Sequence, residues 1–219
     1  DEPMANVTYD KNCLTVLDHP LVGHKMTILR DESTAPAHFR KLVHELAALE
    51  AYEATRDLST TQVQVKTPIC ETEGVQLKDD ALAVVPILRA GMGMLEGVLS
   101  VVPSAAVGVL GMERNEETHE PRSYYAKMPQ GIENRMALVI DPMLATGGSA
   151  LAAIKYLREA GVKDIRLLVM VAAPEGVAAV NAVEPDVHIW ACALDEGLND
   201  AAYIIPGLGD AGDRIFGTV

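Results

Sequence analysis

From residue 39 onward, apolar positions fall first at helical spacing and then in short unbroken runs. Phe39, Leu42, Val43, Leu46, Leu49 and Tyr52 form an i, i+3, i+4 stripe, which predicts a helix capped by Ser33 or Thr34 and running to about Leu58. Downstream, residues 81–88, 106–110, 136–140, 165–171 and 187–192 are apolar runs of strand length. Helical patterns lie between most of them, over 92–101, 149–160 and 175–183, and Gly161 and Pro185 supply stops after two of these. Continuous apolar strands alternating with helices predict a mostly parallel sheet covered on both faces. No repeat or low-complexity linker divides the chain, so residues 1–219 read as a single α/β domain. The polar stretch 115–134 breaks the alternation, and an irregular segment of that length inside a compact domain is usually functional.

Composition narrows the function class more than the fold. Hydrophobic residues make up 49% of the 219, yet only two are Phe and one is Trp, so the core is expected to be aliphatic. Thirty-one acids against 18 bases give a formal charge of −13, which disfavours nucleic acid and anionic membrane surfaces as partners. A polyanionic ligand would then call for a divalent metal. No apolar stretch approaches the ~20 residues that span a bilayer, and the first residues lack the charged-then-apolar order of a signal peptide. Cys13, Cys70 and Cys192 are scattered without a CxxC pair, which points to structural thiols in a reducing cytoplasm. His19, His24, His38, His44, His119 and His188 show no metal-ligand spacing and are read as surface or helix-face residues.

In sheets of this kind ligands gather at the carboxyl ends of the strands, near the switch in strand order. Three segments at such ends are unusual: Pro86–Met94 (PILRAGMGM), Asp141–Ser149 (DPMLATGGS) and the glycine-rich Tyr203–Thr218 (YIIPGLGDAGDRIFGT). The segment 141–149 has the form of a phosphate loop without its lysine. In the plainest reading it is a glycine turn with Asp141 capping nearby amides. In the chemical reading the amides of Ala145 to Ser149 open a helix and converge on one spot, where the helix dipole adds partial positive charge. Thr146 and Ser149 add hydroxyl donors, and the carboxylate of Asp141 suits sugar hydroxyls. A ribose 5-phosphate satisfies both halves. In the segment 86–94 and just beyond it, Gly91, Gly93 and Gly97 after a strand could also be a dinucleotide pattern. That spacing alone is weak, no acidic strand end is placed for an adenosine ribose, and Arg89 before the glycines fits a diphosphate better. The acidic run 113–120 is simplest as solvated surface, with Arg114 inside it as an exception.

Four motifs, VPILRAGMGM, GMERNEET, VIDPMLATGGS and YIIPGLGDAGDRIFGT, closely resemble the phosphoribosyltransferases and, within them, the uracil phosphoribosyltransferase family. The resemblance runs from HPLVGHKMTILRD to the last residue, with the motifs in the family's order. Most relatives carry two acids at the head of the loop, whereas Asp141-Pro142 leaves one, a departure the uracil branch shares. The resemblance implies a type I phosphoribosyltransferase-like fold with an N-terminal helical segment, a β-arm insertion near 115–134 and a base-binding hood near 195–219. It implies transfer of the ribosyl phosphate of 5-phospho-α-D-ribose 1-diphosphate to uracil, giving UMP and diphosphate in pyrimidine salvage. On that pattern Asp141, Pro142, Met143, Leu144, Ala145, Thr146, Gly147, Gly148 and Ser149 hold the ribose 5-phosphate. Arg89 and Arg114 meet the diphosphate, with Mg²⁺ bridging its oxygens and held mainly through diphosphate and water. The backbone of Ile204, Gly209, Asp210 and Ala211 reads uracil, and Asp210 reaches toward the donor and the metal-bound water. Asp210 and Arg89 are the catalytic candidates. The same resemblance implies a homodimer or higher oligomer, and some members respond to GTP, which makes GTP a candidate effector. Two alternatives stay open: an RNA-binding regulator built on this fold, which would want a basic face, and an enzyme for a purine, which would need a different C-terminal loop.

Overall fold

The computed structural model of the chain describes residues 7–114 and 121–218. Of Arg114, which ends a strand, only the backbone is described, and His119 lies outside the described residues. The chain opens with β1 (Leu14–Val16), α1 (Pro20–Arg30) and α2 (Pro36–Ala54), followed by a hairpin of β2 (Thr60–Lys66) and β3 (Glu71–Leu77). Then come β4 (Leu82–Leu88), α3 (Met92–Val101), β5 (Ala106–Val107), β6 (Val109–Arg114), β7 (Pro121–Lys127), β8 (Met136–Ile140), β9 (Met143–Leu144) and α4 (Gly148–Glu159). The last third holds β10 (Ile165–Ala172), α5 (Pro174–Val183), β11 (His188–Leu194), β12 (Gly197–Leu198), β13 (Ile204–Ile205) and α6 (Ala211–Phe216).

The central sheet has the order β1-β11-β10-β8-β4-β6-β7, with β5 beside β4 and β9 beside β10. Every pairing in it is parallel except β6 with β7. Its strands are buried on both faces, which is why they read as unbroken apolar runs. Leu82, Val84, Leu138, Ile140, Leu168 and Met170 point to the side covered by α1, α2, α3 and α6. Their neighbours Ala83, Val85, Ala137, Val139, Leu167 and Val169 point to the side covered by α4 and α5. Helix α2 lays Phe39, Leu42, Val43, Leu46, Ala47 and Ala51 on the first face, all buried, and each large side chain so removed from water is worth about 1.5–3 kcal/mol.

The structure corrects four expectations. Neither Ser33 nor Thr34 caps α2, which begins at Pro36 after Ala35 without a side-chain cap. Proline suits that first position because its missing N–H would have had no helical partner. The two hydroxyls serve the preceding turn instead: Ser33 donates to Asp31 at 2.6 Å and Thr34 to the carbonyl of Ile28 at 2.6 Å. The helix stops at Ala54 rather than Leu58, where Thr55 Oγ1 donates to the carbonyl of Ala51 at 2.7 Å. The stretch 115–134 is not irregular in its described part, since β7 pairs antiparallel with β6 across a bulge at Gly111/Met112 and forms the sheet edge. The run 106–110 is two strands, broken at Gly108. The structure also adds a second arm that the sequence does not announce. Among the described residues, strands β2 and β3 pair only with each other, and Val65, Ile69 and Val75 on this hairpin are exposed.

Candidate active site

Between β4 and β8 the strand order reverses: the chain leaves β4 toward β6 on one side and returns to β8 on the other. The crevice beyond their carboxyl ends is therefore flanked by residue 89 on one side and residue 141 on the other. A cleft of about 520 Å³ opens there, lined by Arg89 and Ala90 after β4, by Asp141, Met143 and Ala145 after β8, and by residues 201–204 and 209–212 of the C-terminal segment. Gly91 closes the base of the first loop. A Cβ at that position would stand 2.5 Å from the carbonyl oxygen of Ile140 and 2.6 Å from that of Ile87, so only glycine lets the two strand ends approach this closely.

The loop after β8 continues into a shallow depression of about 110 Å³ formed by Asp141 and residues 143–150. Gly147, at φ +89°, is the N-cap of α4 and turns the chain so that the first amides of the helix face outward. Such first-turn amides have no partner within the helix, and the dipole adds partial positive charge at the same place. The hydroxyl of Thr146 accepts from the amide of Gly148 only weakly, at 3.5 Å, and Ser149 is exposed beside it. Pro142 is buried and lines neither cavity, and its carbonyl accepts from the amides of Met170 and Val171. The side chain of Leu144 is buried in the core.

Asp141 is partly open to the cleft but ringed by packed protein. Burial pushes its carboxyl up to about 7, a rise that a hydrogen bond from the amide of Met143 opposes weakly at 3.4 Å. Arg89 is exposed and loosely tethered: one guanidinium nitrogen donates to Asp213 Oδ1 at 3.2 Å and to Thr218 Oγ1 at 3.4 Å, and the group lies 5.2 Å from the ring of Phe216. Asp213 is held below the usual carboxylate range by the Thr218 hydroxyl and by Arg89. Asp210 caps α6, accepting from the amide of Asp213 at 2.9 Å, and faces the cleft. Gly209 beside it has φ +81°.

Thus Arg89, Asp141, Met143, Ala145, Ile204, Gly209, Asp210 and Ala211 share one cleft, and Thr146 to Ser149 extend it. The side chain of Arg114 is not described. Among the described residues no group of three His, Cys, Asp or Glu is arranged to hold a metal ion. Sequence reading overlooked Tyr203, a half-exposed ring at the cleft wall, and Asp213 and Thr218, the partners of Arg89. The glycine-rich C-terminal segment contains all three, but only the fold brings residues 213 and 218 beside residue 89.

The sequence profile of the uracil phosphoribosyltransferase family matches residues 16–218. A uracil phosphoribosyltransferase of Macrococcus caseolyticus is 56% identical over 203 residues, covering 93% of this chain and 97% of that protein. The AQ2163 protein of Aquifex aeolicus superposes with a TM-score of 0.88 at 39% identity, over 93% of this chain and 97% of its own. The adenine phosphoribosyltransferase of Trypanosoma brucei shares the fold alone, with a TM-score of 0.58 at 11% identity over 91% of this chain and 89% of its own. A match of this extent, on a type I phosphoribosyltransferase fold whose cleft joins the strand ends to the C-terminal segment, makes the chain a member of the uracil phosphoribosyltransferase family.

Proposed function

We propose that the chain transfers the ribosyl phosphate of 5-phospho-α-D-ribose 1-diphosphate to N1 of uracil, releasing UMP and diphosphate. The observation that carries this reading is the meeting of an arginine, a strand-end carboxylate and a glycine-rich backbone loop in one cleft at the switch point. The amides and hydroxyls of residues 145–149 hold the 5-phosphate without a cation. Asp141 accepts from the ribose hydroxyls, which its raised pKa makes dependent on ionisation. Arg89 turns from Asp213 to the diphosphate, since two long, exposed bonds are easily exchanged for a bidentate contact with phosphate. Arg114 joins it on the same group. The anomeric carbon passes through an oxocarbenium-like state, as in other glycosyl transfers. The protein stabilises the departing charge and fixes N1 below that carbon. Backbone at Ile204 and at Gly209 to Ala211 reads the uracil edge, and a cytosine in the same place would leave donors unpaired in a dry site. Asp210, at the end of the base-reading backbone, is the carboxylate candidate for assisting this step.

Magnesium fits the residues present. Asp141 and Asp210 offer hard oxygen donors to one cleft, and an ion that keeps its waters and binds phosphate oxygens needs few protein ligands. When bound it supplies charge neutralisation on the diphosphate. We extend the reading to a homo-oligomer and to GTP as effector, on family resemblance. For the oligomer, the hairpin β2–β3 gives support: a lone two-stranded hairpin is only marginally stable in water, and a second copy would cover its exposed Val65, Ile69 and Val75. No helix among the described residues is long and apolar enough to cross a membrane. Free thiols at Cys13, Cys70 and Cys192 support the cytoplasm as the site of action.

The test is transfer of radiolabelled uracil to UMP with the diphosphate donor and Mg²⁺, run beside cytosine, hypoxanthine and guanine. UMP formation from uracil alone is the expected result, and preferential use of a purine would overturn the base assignment. Light scattering on the same sample reads the oligomeric state, and added GTP tests the effector.

A further inference from the structure

Apart from Glu50, Asp195 is the only charged or polar residue among the described ones that is buried, and it does not line the cleft. It lies just after β11 and forms a two-pronged pair with Arg30, the last residue of α1. Arg30 Nη2 donates to Asp195 Oδ1 at 2.6 Å and Nη1 donates to Oδ2 at 2.7 Å. The same Nη1 also donates to the carbonyl oxygen of Gly207 at 2.7 Å, and the amide of Gly207 donates to Asp195 Oδ2 at 2.8 Å. Both backbone groups of one residue are thus held by one ion pair. Gly207 sits between Ile204 and Gly209, in a turn so tight that a Cβ there would fall 2.2 Å from the carbonyl oxygen of Ile204. A second arginine grips the next residue. Arg214 Nη1 donates to the carbonyl of Leu208 at 2.8 Å and Nη2 to that of Asp31 at 2.5 Å, while the guanidinium stacks 4.5 Å from the ring centre of Phe39.

We propose that the Arg30–Asp195 pair is the positioning device of the base-reading loop, setting uracil affinity and the choice against cytosine through the backbone of Gly207. The inference rests on the reading that residues 204 and 209–211 contact the base. A loop that recognises its ligand with peptide groups cannot adjust a side-chain rotamer to correct an error, so its fidelity depends on how rigidly its backbone is fixed. Carboxylate and guanidinium supply that rigidity. Their bonds are charge-assisted, their forks are planar, and Asp195 is shielded from water. Neither residue touches substrate, so neither is catalytic.

The experiment compares Arg30→Lys and Asp195→Asn with the parent enzyme for uracil KM, donor KM, kcat and UMP formed in uracil–cytosine competition. Lysine keeps the charge but loses the fork, and asparagine keeps the shape but presents an N–H₂ to a donor. The expected result is a rise of about tenfold in uracil KM with weaker rejection of cytosine, the size of one lost charge-assisted bond, while donor KM stays within about twofold. Uracil KM unchanged in a folded variant overturns the proposal, as does an equal rise in both KM values, which a merely structural role would give. The unmodified protein supplies a reading that does not depend on a variant folding. By hydrogen exchange, the amide of Gly207 should be protected as strongly as those of β10 with no ligand present, and rapid exchange there overturns the proposal. If the parent itself makes no UMP, the base-reading premise fails instead, and the two failures are told apart by that single control.

Discussion

Acidification should release the sugar before it disturbs the fold, because the carboxyl of Asp141 titrates at about 7 and not in the usual carboxylate range. At about pH 6 such a group is about one tenth ionised and at about pH 8 about nine tenths, so each unit below 7 removes up to about 1.4 kcal/mol from any interaction that needs the charge. Calorimetric titration of the diphosphate donor with Mg²⁺, in the absence of uracil, reads this directly. The donor's own phosphate ionises nearby, with a second pKa of about 6, so Asp141→Asn serves as the reference. The parent's affinity should fall about tenfold more than the variant's between about pH 7.5 and about pH 6, with the variant weaker by a similar factor at about pH 8. Below about pH 7 the parent should release more protons on binding than the variant does, seen as an enthalpy that varies more steeply with buffer. The sign on stability is opposite. A carboxyl whose folded pKa is raised binds its proton more tightly when folded, so ligand-free stability falls as pH rises from the carboxylate range to about 7 and levels off above. The Asn variant should lack that slope. Parallel affinity profiles for parent and variant would refute the reasoning, because the ribose hydroxyls would then not depend on the charge of Asp141.

Replacing Arg89 by Ala should lower kcat by about 10²–10³ and leave uracil KM near the parent value, because charge on the diphosphate grows in the transition state. An unchanged kcat with only a raised donor KM, in steady-state kinetics, would assign Arg89 to uniform binding. At Gly209, valine must adopt φ +81°, a conformational cost of about 1–2 kcal/mol, although the nearest atom to a Cβ there is Arg214 Cδ at 3.9 Å. Uracil turnover should collapse in Gly209→Val while calorimetric donor affinity survives, and Ile204→Val should leave base choice intact. Parent-rate UMP synthesis by Gly209→Val would place the base elsewhere. Glu50 is buried, neither carboxyl oxygen makes a well-formed hydrogen bond among the described residues, and burial raises its pKa well above the usual range, a rise that the neighbouring Cys192 thiol only partly opposes. Glu50→Met should therefore stabilise the chain by about 1–3 kcal/mol in urea unfolding, with the gap widening as pH rises, because ionising the parent's acid becomes costlier. A less stable variant would show that the carboxyl has a partner.

Helix α3 and strand β8 are legible to the residue, because a wholly buried strand leaves no polar interruption between Arg135 and Asp141, and Gly91 and Pro103 bracket the helix. The loops at residues 89–94, 141–149 and 203–218 are legible because close backbone approach and anion binding favour glycine and small polar residues. The hairpin β2–β3 is not. Its strands bury neither face, so the brief alternation of Val63 and Val65 in TTQVQVK has no buried side to match. The link between Arg30 and Asp195 spans 165 residues and exists only after α1 and β11 have packed together. Ion pairs of that kind have no spacing to read. Cap placement fails for a related reason, since Ser33 and Thr34 satisfy the exit of α1 as readily as the start of α2 would have asked of them.

That same hairpin has a thermodynamic consequence for anyone handling the protein. Its two strands draw no support from the central sheet, so its opening is governed by a local equilibrium far below the free energy that holds β8 and β10. Exchange should therefore reach its amides first, and a protease offered the exposed tip around Ile69 should cut there before anywhere in the core. A second copy covering the hairpin, as proposed above, would add its binding free energy to that local equilibrium and make the apparent melting temperature a function of how concentrated the protein is. Dilution would then become a reagent: an oligomer stable at high concentration would soften at those of an assay, beginning at residues 60–77.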